Sequence, residues 1–166
     1  MRKKIILIDD DESLASKVKG LIKTWNLDPH YKIISNSDLT PTEDTEQAKS
    51  EFCSRIVDLV RENNTGGGVE AILLDVFFFI GSDDQSETFG YEIGSFLRLH
   101  FPQTPIILFT VEKNYQEALN AFNFDGYILK GEFNNWTDSK DFKATILSAR
   151  LRRDRILEEC QQSQST

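Results

Sequence analysis

The chain has 166 residues, a formal net charge of −8 and a sequence pI near 4.8. This length suits one domain with a core of its own, and the acidic balance argues against unaided binding to nucleic acid or an anionic membrane. No apolar run approaches membrane-spanning length. Cys53 and Cys160 lack CxxC spacing and are expected to be reduced thiols of a cytoplasmic protein.

The first predicted strand covers Lys3 to Ile8 and stops at three consecutive aspartates. Basic residues precede it, as in a secretory signal, but the apolar run is too short for one. Ser13 is a candidate N-cap for the first helix, whose apolar residues recur at helical spacing. Tyr31 to Ile34 predicts a second, weaker strand, and Ser35 to Thr45 is a polar loop.

A long second helix follows this loop, with apolar residues from Ala48 to Val60 on one face and charges on the other. The segment Asn63 to Gly68 contains three glycines. It lacks the Lys-Ser/Thr of a phosphate-binding loop and precedes a strand rather than a helix, so we interpret it as a linker.

Asp75 interrupts the run Ala71 to Ile80, which is otherwise wholly apolar. Such a run predicts a strand buried on both faces, where a carboxylate is costly unless it is paired. Taken alone, Asp75 is better explained as a turn residue that closes the strand. The alternative is a functional carboxylate at the carboxyl end of a central parallel strand, where open α/β sheets place their sites.

The second half of the chain continues the alternation of strands and helices. The polar segment Gly81 to Thr88 is an exposed loop. It is followed by a predicted helix at Gly90–His100 and a strand at Pro105–Thr110. The remaining predicted elements are a short helix at Tyr115–Phe122 with Asn123 as left-handed C-cap, a strand at Gly126–Lys130, and a last helix from Asp138 or Ser139 toward Cys160. Five strands alternating with five helices indicate an α/β fold with a parallel sheet and helices on both faces.

Polar residues end four of the predicted strands: Asp9 and Asp10, Asp75, Thr110, and Lys130. The carboxyl ends of parallel strands meet at one edge of the sheet. Three carboxylates there repel one another and require a cation. Mg²⁺ fits, since it binds through one or two carboxylates and keeps several waters. Each residue alone has an ordinary structural explanation, but the combination predicts a site.

The four strand ends carry the motifs Ile-Leu-Ile-Asp-Asp-Asp, Ala-Ile-Leu-Leu-Asp, Ile-Ile-Leu-Phe-Thr and Gly-Tyr-Ile-Leu-Lys in this order. Through them the chain resembles the receiver domain of two-component response regulators, of the chemotaxis-regulator type, over about residues 3–142. The resemblance implies a flavodoxin-like, doubly wound, five-stranded sheet with strand order 2-1-3-4-5. It also implies a phosphorylated signalling switch that acts through protein contacts.

The resemblance also implies residue roles. Asp75 is the phospho-acceptor, a carboxylate nucleophile for a phosphoryl group from a histidine kinase or histidine phosphotransfer protein. Mg²⁺ is held by Asp10, Asp75 and the Phe77 backbone carbonyl, with Asp9 acting through water. Lys130 and Thr110 bind the phosphoryl oxygens, and Thr110 and Tyr127 form the switch. No turnover of an external substrate is expected; the domain catalyses its own phosphorylation and dephosphorylation.

Several positions depart from the family pattern. The segment between Asp75 and Gly90 is longer than usual, and Phe79 stands where a proline is common. Val111 replaces a small residue and is expected to narrow access to the site. Gly131 replaces a proline that is usually cis, so a cis bond is not expected. We favour packing under the long loop over partner binding for Phe77 to Phe79.

The last helix is longer than a receiver needs. We assign residues 1–142 to the core and residues 143–166 to an extended helix with a frayed tail. Arginines between positions 150 and 155 interrupt its apolar stripe, so its second half is expected to project from the domain. A solvated helix end is the simplest interpretation, and a homodimer contact or a linker to an output domain are the alternatives. The basic cluster is too small to indicate nucleic-acid binding, and the downstream partner is unknown.

Two alternatives stay open. The substitutions at Phe79, Val111 and Gly131 are compatible with a degenerate receiver that serves as a phosphorylation-independent interaction or dimerisation module. An aspartate-nucleophile phosphatase of the haloacid-dehalogenase type ranks lower, because those enzymes carry Asp-x-Asp at the strand end, and the second acidic position is Phe77 in this chain.

Overall fold

A computed structural model describes residues 4–24, 33–34, 45–64, 68–79, 86–111, 115–133, 135–136 and 138–163. The strands are β1 (Lys4–Ile8), β2 (Ile33–Ile34), β3 (Val69–Leu74), β4 (Phe78–Phe79), β5 (Ser86–Glu87), β6 (Ile106–Thr110) and β7 (Gly126–Leu129). The helices are α1 (Glu12–Thr24), α2 (Glu46–Asn63), α3 (Gly90–His100), α4 (Tyr115–Ala121), α5 (Lys130–Phe133) and α6 (Lys140–Ser163).

The main sheet is parallel, as predicted, and its described strands lie in the order β2-β1-β3-β6-β7. Four of them have at least four residues, whereas the edge strand β2 is described only for Ile33 and Ile34. The α/β class with a parallel sheet is therefore confirmed. The rest of the predicted second strand and the Ser35 to Thr45 loop lie outside the described residues, apart from Thr45 itself.

Helices cover both faces of the sheet because side chains alternate along each buried strand. In β3, Ile72 and Leu74 point into a core shared with α2, α3 and α4. Ala71 and Leu73 point into the opposite core, which contains residues of α1 and α6. β3 is thus buried on both faces, which explains why its sequence shows no polar alternation.

Local capping differs from the sequence prediction at the start of α1. Asp11, not Ser13, is the cap: its Oδ1 accepts hydrogen bonds from the backbone N–H of Ser13 and of Leu14 at 2.9 and 3.0 Å. The Ser13 hydroxyl donates to the same oxygen at 2.7 Å. An aspartate satisfies the free amides of the first turn as well as a serine does and adds a favourable charge. Asp11 is therefore the N-cap of α1.

Two short elements were not predicted. One is β5, which lies in the segment Gly81 to Thr88 that was expected to be only an exposed loop; it pairs antiparallel with β4, at the end of the run Ala71 to Ile80, with Phe78 opposite Glu87. The other is α5, which begins at Lys130, directly after β7. No peptide bond of the described residues is cis, so the expectation for Gly131 is confirmed.

The last helix stays attached to the domain further than the sequence suggested. Phe142, Ile146 and Ala149 are buried against the sheet, as predicted, but Arg153 is buried as well, with 2 % of its surface exposed. The prediction that the arginines begin a projecting half is therefore wrong for Arg153, which has a carboxylate partner in the body of the domain. The boundary at residue 142 stays a prediction. No described helix is long and apolar enough to cross a membrane.

Candidate functional site

The three predicted acidic residues meet at the carboxyl edge of the sheet. Asp9 and Asp10 follow β1, and Asp75 follows β3, the strand paired with it in parallel. The Asp75 N–H donates to the Ile8 carbonyl at 2.9 Å, which fixes the two strand ends side by side. All three side chains are buried, and each offers a carboxylate oxygen within 4.8 Å of the others.

Lys130 brings a positive charge into this cluster from the end of β7. Its Nζ lies 2.6 Å from Asp75 Oδ2 and 2.9 Å from Asp9 Oδ2. The side chain is buried, and the ammonium lies 5.6 Å from the centre of the Phe109 ring. Because α5 begins at Lys130, the chain turns away from the sheet here without the proline of the family pattern.

Thr110 and Tyr127 are placed differently. Thr110 ends β6 between β3 and β7 and is fully buried at the same edge as the acidic cluster. Tyr127 is only partly buried, and its ring stacks on Tyr115 of α4 with 3.5 Å between ring centres. A hydrogen bond with Tyr115 raises the pKa of Tyr127. The structure thus joins Asp9, Asp10, Asp75, Thr110 and Lys130 at one edge and leaves Tyr127 against α4.

Burial dominates the electrostatics of the cluster. The pKa of Asp75 is raised to about 6. Burial is the largest cause; Asp9 also raises this pKa, and Lys130 lowers it. Burial likewise raises the pKa of Asp9 against the lowering effect of Lys130. The pKa of Lys130 would fall on burial, but Asp75 and Asp9 outweigh this effect and raise it. One ammonium therefore faces more carboxylate charge than it neutralises.

The donor set fits a small hard cation. The ligands are carboxylate oxygens, which Mg²⁺ prefers. Asp9 Oδ2 is buried and accepts no hydrogen bond of good geometry from the described residues, although the Lys130 ammonium lies at ion-pair distance. An under-bonded carboxylate oxygen in an acidic cluster is what a bound cation would satisfy. The residues present therefore fit Mg²⁺.

Gly90 allows α3 to begin directly against the Asp75 backbone. A Cβ at this position would lie 2.0 Å from the Asp75 carbonyl oxygen and 2.6 Å from the Val76 Cα. The Gly90 N–H donates to the Val76 carbonyl at 2.9 Å. Because only glycine permits this approach, Gly90 helps to set the path of the chain after Asp75.

The aromatic residues after Asp75 mainly build structure. Phe78 is buried with Phe52 and Phe89, at centroid distances of 6.1 and 6.5 Å. This agrees with the preferred packing interpretation for Phe78; Phe77 is partly buried against the same core. The side chain of Phe79 lies outside the described residues. Val111 is 63 % exposed and follows Thr110 at the rim of the site.

A second buried charge cluster, which we call the Asp125 clasp, lies at the opposite edge of the sheet and was not predicted. It consists of Asp125, Arg98 of α3 and Arg153 of α6. Arg98 Nη2 lies 2.6 Å from Asp125 Oδ2, and Arg153 Nη2 lies 2.6 Å from Asp125 Oδ1. The Ile106 N–H also donates to Oδ2 at 2.8 Å. The clasp ties two helices to the starts of β6 and β7.

Asn123 completes the clasp. It has the predicted left-handed conformation, with φ of 57°, and its carbonyl accepts from Arg98 Nη2 and Arg153 Nη2 at 3.2 and 2.8 Å. The only sequence signal for this cluster was an aspartate just before a strand, since both arginines resemble the solvated charges of a helix surface.

The fold is that of response regulator receiver domains. No family model and no curated protein matches the chain. Among solved structures, a CheY-like receiver domain protein from Methanospirillum hungatei has a TM-score of 0.57 at 15% identity, covering 93% of this chain and 98% of that chain. A signal receiver domain of an HD domain-containing protein from Pseudomonas fluorescens has a TM-score of 0.56 at 14% identity, with 93% and 99% covered.

The response regulator TrrA from Thermotoga maritima, solved in complex with Mg²⁺ and BeF, has a TM-score of 0.52 at 17% identity. It covers 89% of this chain and 98% of that chain. At these identities the comparisons establish the fold, and the acidic cluster lies where such a fold places its strand ends.

Proposed function

We propose that this protein is a receiver-type signalling domain that accepts a phosphoryl group on Asp75 with the help of Mg²⁺. The observation that carries the proposal is the buried contact of Lys130 with both Asp75 and Asp9, inside a group of three carboxylates in a receiver fold. A purely structural ion pair needs only one carboxylate for one lysine. Excess buried negative charge is costly unless a cation binds.

Asp10, Asp75 and the Phe77 backbone carbonyl would hold Mg²⁺ directly, with Asp9 helping through water. When bound, Mg²⁺ neutralises negative charge that develops on the transferred phosphoryl group. We assign the phosphoryl oxygens to Lys130 and Thr110. Their ammonium and hydroxyl groups are donors at the same edge of the sheet as Asp75.

Asp75 acts as the nucleophile in this proposal. Its raised pKa of about 6 leaves the carboxylate mostly ionised at neutral pH, and an ionised oxygen is required for attack on phosphorus. The Val76 N–H donates to Oδ1 at 2.7 Å, and Lys130 donates to Oδ2 at 2.6 Å. The carboxylate is therefore held in one orientation before a phosphodonor arrives, which reduces the entropic cost of the reaction.

A histidine kinase or histidine phosphotransfer protein is the proposed donor, in the cytoplasm, and the output is a contact with another protein. We take the sheet to be the complete five-stranded sheet of the family, order 2-1-3-4-5. Thr110 and Tyr127 are the proposed switch. The Tyr115–Tyr127 stack would have to open if the Tyr127 ring turned inward, so phosphorylation would shift an existing equilibrium at α4 and β7.

Intact-mass spectrometry after incubation with acetyl phosphate and Mg²⁺ tests the proposal. We expect the wild type to gain the mass of one phosphoryl group and Asp75→Asn to gain none. Asp58→Asn, at an exposed carboxylate of α2, is the matched control and should behave like the wild type. A gain that persists in Asp75→Asn would refute the assignment.

The degenerate-receiver alternative makes a different prediction. If the domain works without phosphorylation, beryllofluoride with Mg²⁺ should leave the environment of Tyr127 unchanged. A change in the Tyr127 nuclear magnetic resonance signals that is lost in Asp75→Asn would argue for the phosphorylated switch.

A further inference from the structure

The outer face of α6 carries apolar side chains that the domain does not cover. Leu147 is 57 % exposed and Leu151 is 58 % exposed, although both belong to a helix whose opposite face is buried in the core. They are one turn apart and therefore adjacent on the helix surface. Single exposed leucines are common on proteins, but the charges around this pair follow a pattern.

Four charged residues continue the line of the two leucines along the helix. At 100° per residue, all six side chains fall within an arc of about 80°. We call this set the α6 stripe; in chain order it consists of Lys140, Lys143, Leu147, Leu151, Asp154 and Glu158. The four charged residues are exposed, and none forms an ion pair with another described residue. The stripe is basic at its start, apolar in its middle and acidic at its end.

We propose that the α6 stripe is a dimerisation surface on which a second copy of this chain packs its own stripe in antiparallel orientation. With a twofold axis near position 149, Leu147 lies opposite the partner's Leu151. The same axis places Lys143 near the partner's Asp154 and Lys140 near the partner's Glu158. Every contact then occurs twice, as an isologous interface requires.

Charge selects this orientation over a parallel one. In a parallel pair the two lysines would face the same lysines, and the two acids would face the same acids, so like charges would repel at both ends. The antiparallel pair places opposite charges around two leucine contacts. The stripe also offers no single sign of charge to a uniformly basic or acidic partner, which favours a second copy of the chain.

The interface is expected to be small. Residues 140–158 span about 27 Å of helix at 1.5 Å per residue, and interfaces of this extent belong to weak, reversible complexes. We therefore expect a dissociation constant on the order of micromolar rather than nanomolar. The stripe lies on the exposed side of α6, centred about 130° around the helix from the buried residues. It contains no residue of the acidic cluster, so dimerisation does not depend on the function proposed above.

Sedimentation velocity on the unphosphorylated protein, over a range of concentrations, tests the proposal. We expect a reversible dimer for the wild type. An acidic variant (Lys140→Glu with Lys143→Glu) and a basic variant (Asp154→Lys with Glu158→Lys) should each dimerise at least tenfold more weakly. Their equimolar mixture should form a heterodimer, and a chain with all four substitutions should recover the affinity of the wild type within about threefold.

The matched control is Lys19→Glu with Lys23→Glu, on exposed positions of α1, which changes the net charge as the acidic variant does. It should dimerise like the wild type, and circular dichroism should report the same fold for every variant. A wild type that stays monomeric at the highest concentration would overturn the proposal. So would two-site variants that associate as strongly as the control.

Discussion

The two buried charge clusters at opposite edges of the sheet differ in their balance. In the Asp125 clasp one carboxylate meets two guanidinium groups and a backbone N–H, so both of its oxygens are bonded. At the acidic cluster one ammonium meets Asp9 and Asp75, with Asp10 nearby. The Asp125 carboxylate is therefore fully bonded and the surplus charge of the clasp is positive, whereas the surplus charge of the acidic cluster is negative.

This difference is the one expected between a structural cluster and the phosphorylation site that we propose. A buried carboxylate with full hydrogen bonding stabilises the fold that contains it only if its partners remain, and removing one partner is costly. A cluster with surplus negative charge destabilises the fold until a cation or a proton arrives. A buried aspartate should therefore stabilise the fold at the clasp and destabilise it at the acidic cluster. Mutating the aspartates at the two edges of the sheet should change the free energy of unfolding in opposite directions.

The largest effect is expected at the clasp. Asp125→Ala leaves the buried Arg153 and the partly buried Arg98 without their carboxylate and should lower the free energy of unfolding by about 3–5 kcal/mol. Urea denaturation measures the change. Asp58→Ala removes an exposed carboxylate paired with Arg61 and should cost under about 1 kcal/mol. Equal losses for the two variants would show that the clasp is not a structural anchor.

Removing the charge of Asp75 should instead raise the free energy of unfolding at alkaline pH. The pKa of Asp75 is raised to about 6 from an ordinary 3.8, so the folded state holds a proton more tightly than the unfolded state. Stability from this group is present at low pH and is lost as pH rises through about 6. Without Mg²⁺, Asp75→Asn should exceed the wild type in unfolding free energy at pH 8 by on the order of 1–3 kcal/mol.

Near pH 4 the two proteins should differ little, because the wild-type carboxyl is protonated there. Adding Mg²⁺ at pH 8 should narrow the gap, since the cation stabilises only the ionised site. If Asp75→Asn is less stable than the wild type at pH 8 without Mg²⁺, Asp75 is a satisfied structural residue like Asp125.

An effect of similar size tests how α3 supports the acidic cluster. Gly90→Ala places a Cβ against the Asp75 carbonyl oxygen, at 2.0 Å in the unrelaxed structure, and should cost about 1–3 kcal/mol as the backbone shifts. Thermal unfolding measures it. Gly20→Ala is the control: no atom lies within 4 Å of its added Cβ, and alanine should stabilise α1 by up to about 1 kcal/mol. Similar results for both would mean that the close approach is unimportant.

The smallest expected effect concerns the thiols, which report on core integrity without altering either cluster. Burial raises the pKa of Cys53 to about 11, whereas Cys160 is exposed. An aromatic disulfide reagent at pH 8 should therefore modify one thiol rapidly and the second only after unfolding. Rapid modification of both thiols in the native wild type would contradict the packing of α2.

The sequence predicted the acidic cluster because every member ends a strand, and strand ends of a parallel sheet converge. It could not predict the clasp, whose arginines occupy helix positions that normally face solvent; only the tertiary packing shows that Arg153 is inward. The N-cap of α1 was predicted wrongly for a related reason: Asp11 and Ser13 are both cap-type residues close to the helix start, and propensity does not decide between them. The β4–β5 pair was not predicted because the segment Gly81 to Thr88 is polar and was interpreted as a loop.

Isothermal titration of the protein with Mg²⁺ tests the difference between the two clusters most directly. We predict that the wild type binds one Mg²⁺, that Asp10→Asn weakens binding at least tenfold, and that Asp58→Asn binds like the wild type. Absence of Mg²⁺ binding by the folded wild type, or equal binding by Asp10→Asn, would contradict the view that the acidic cluster is completed by a cation.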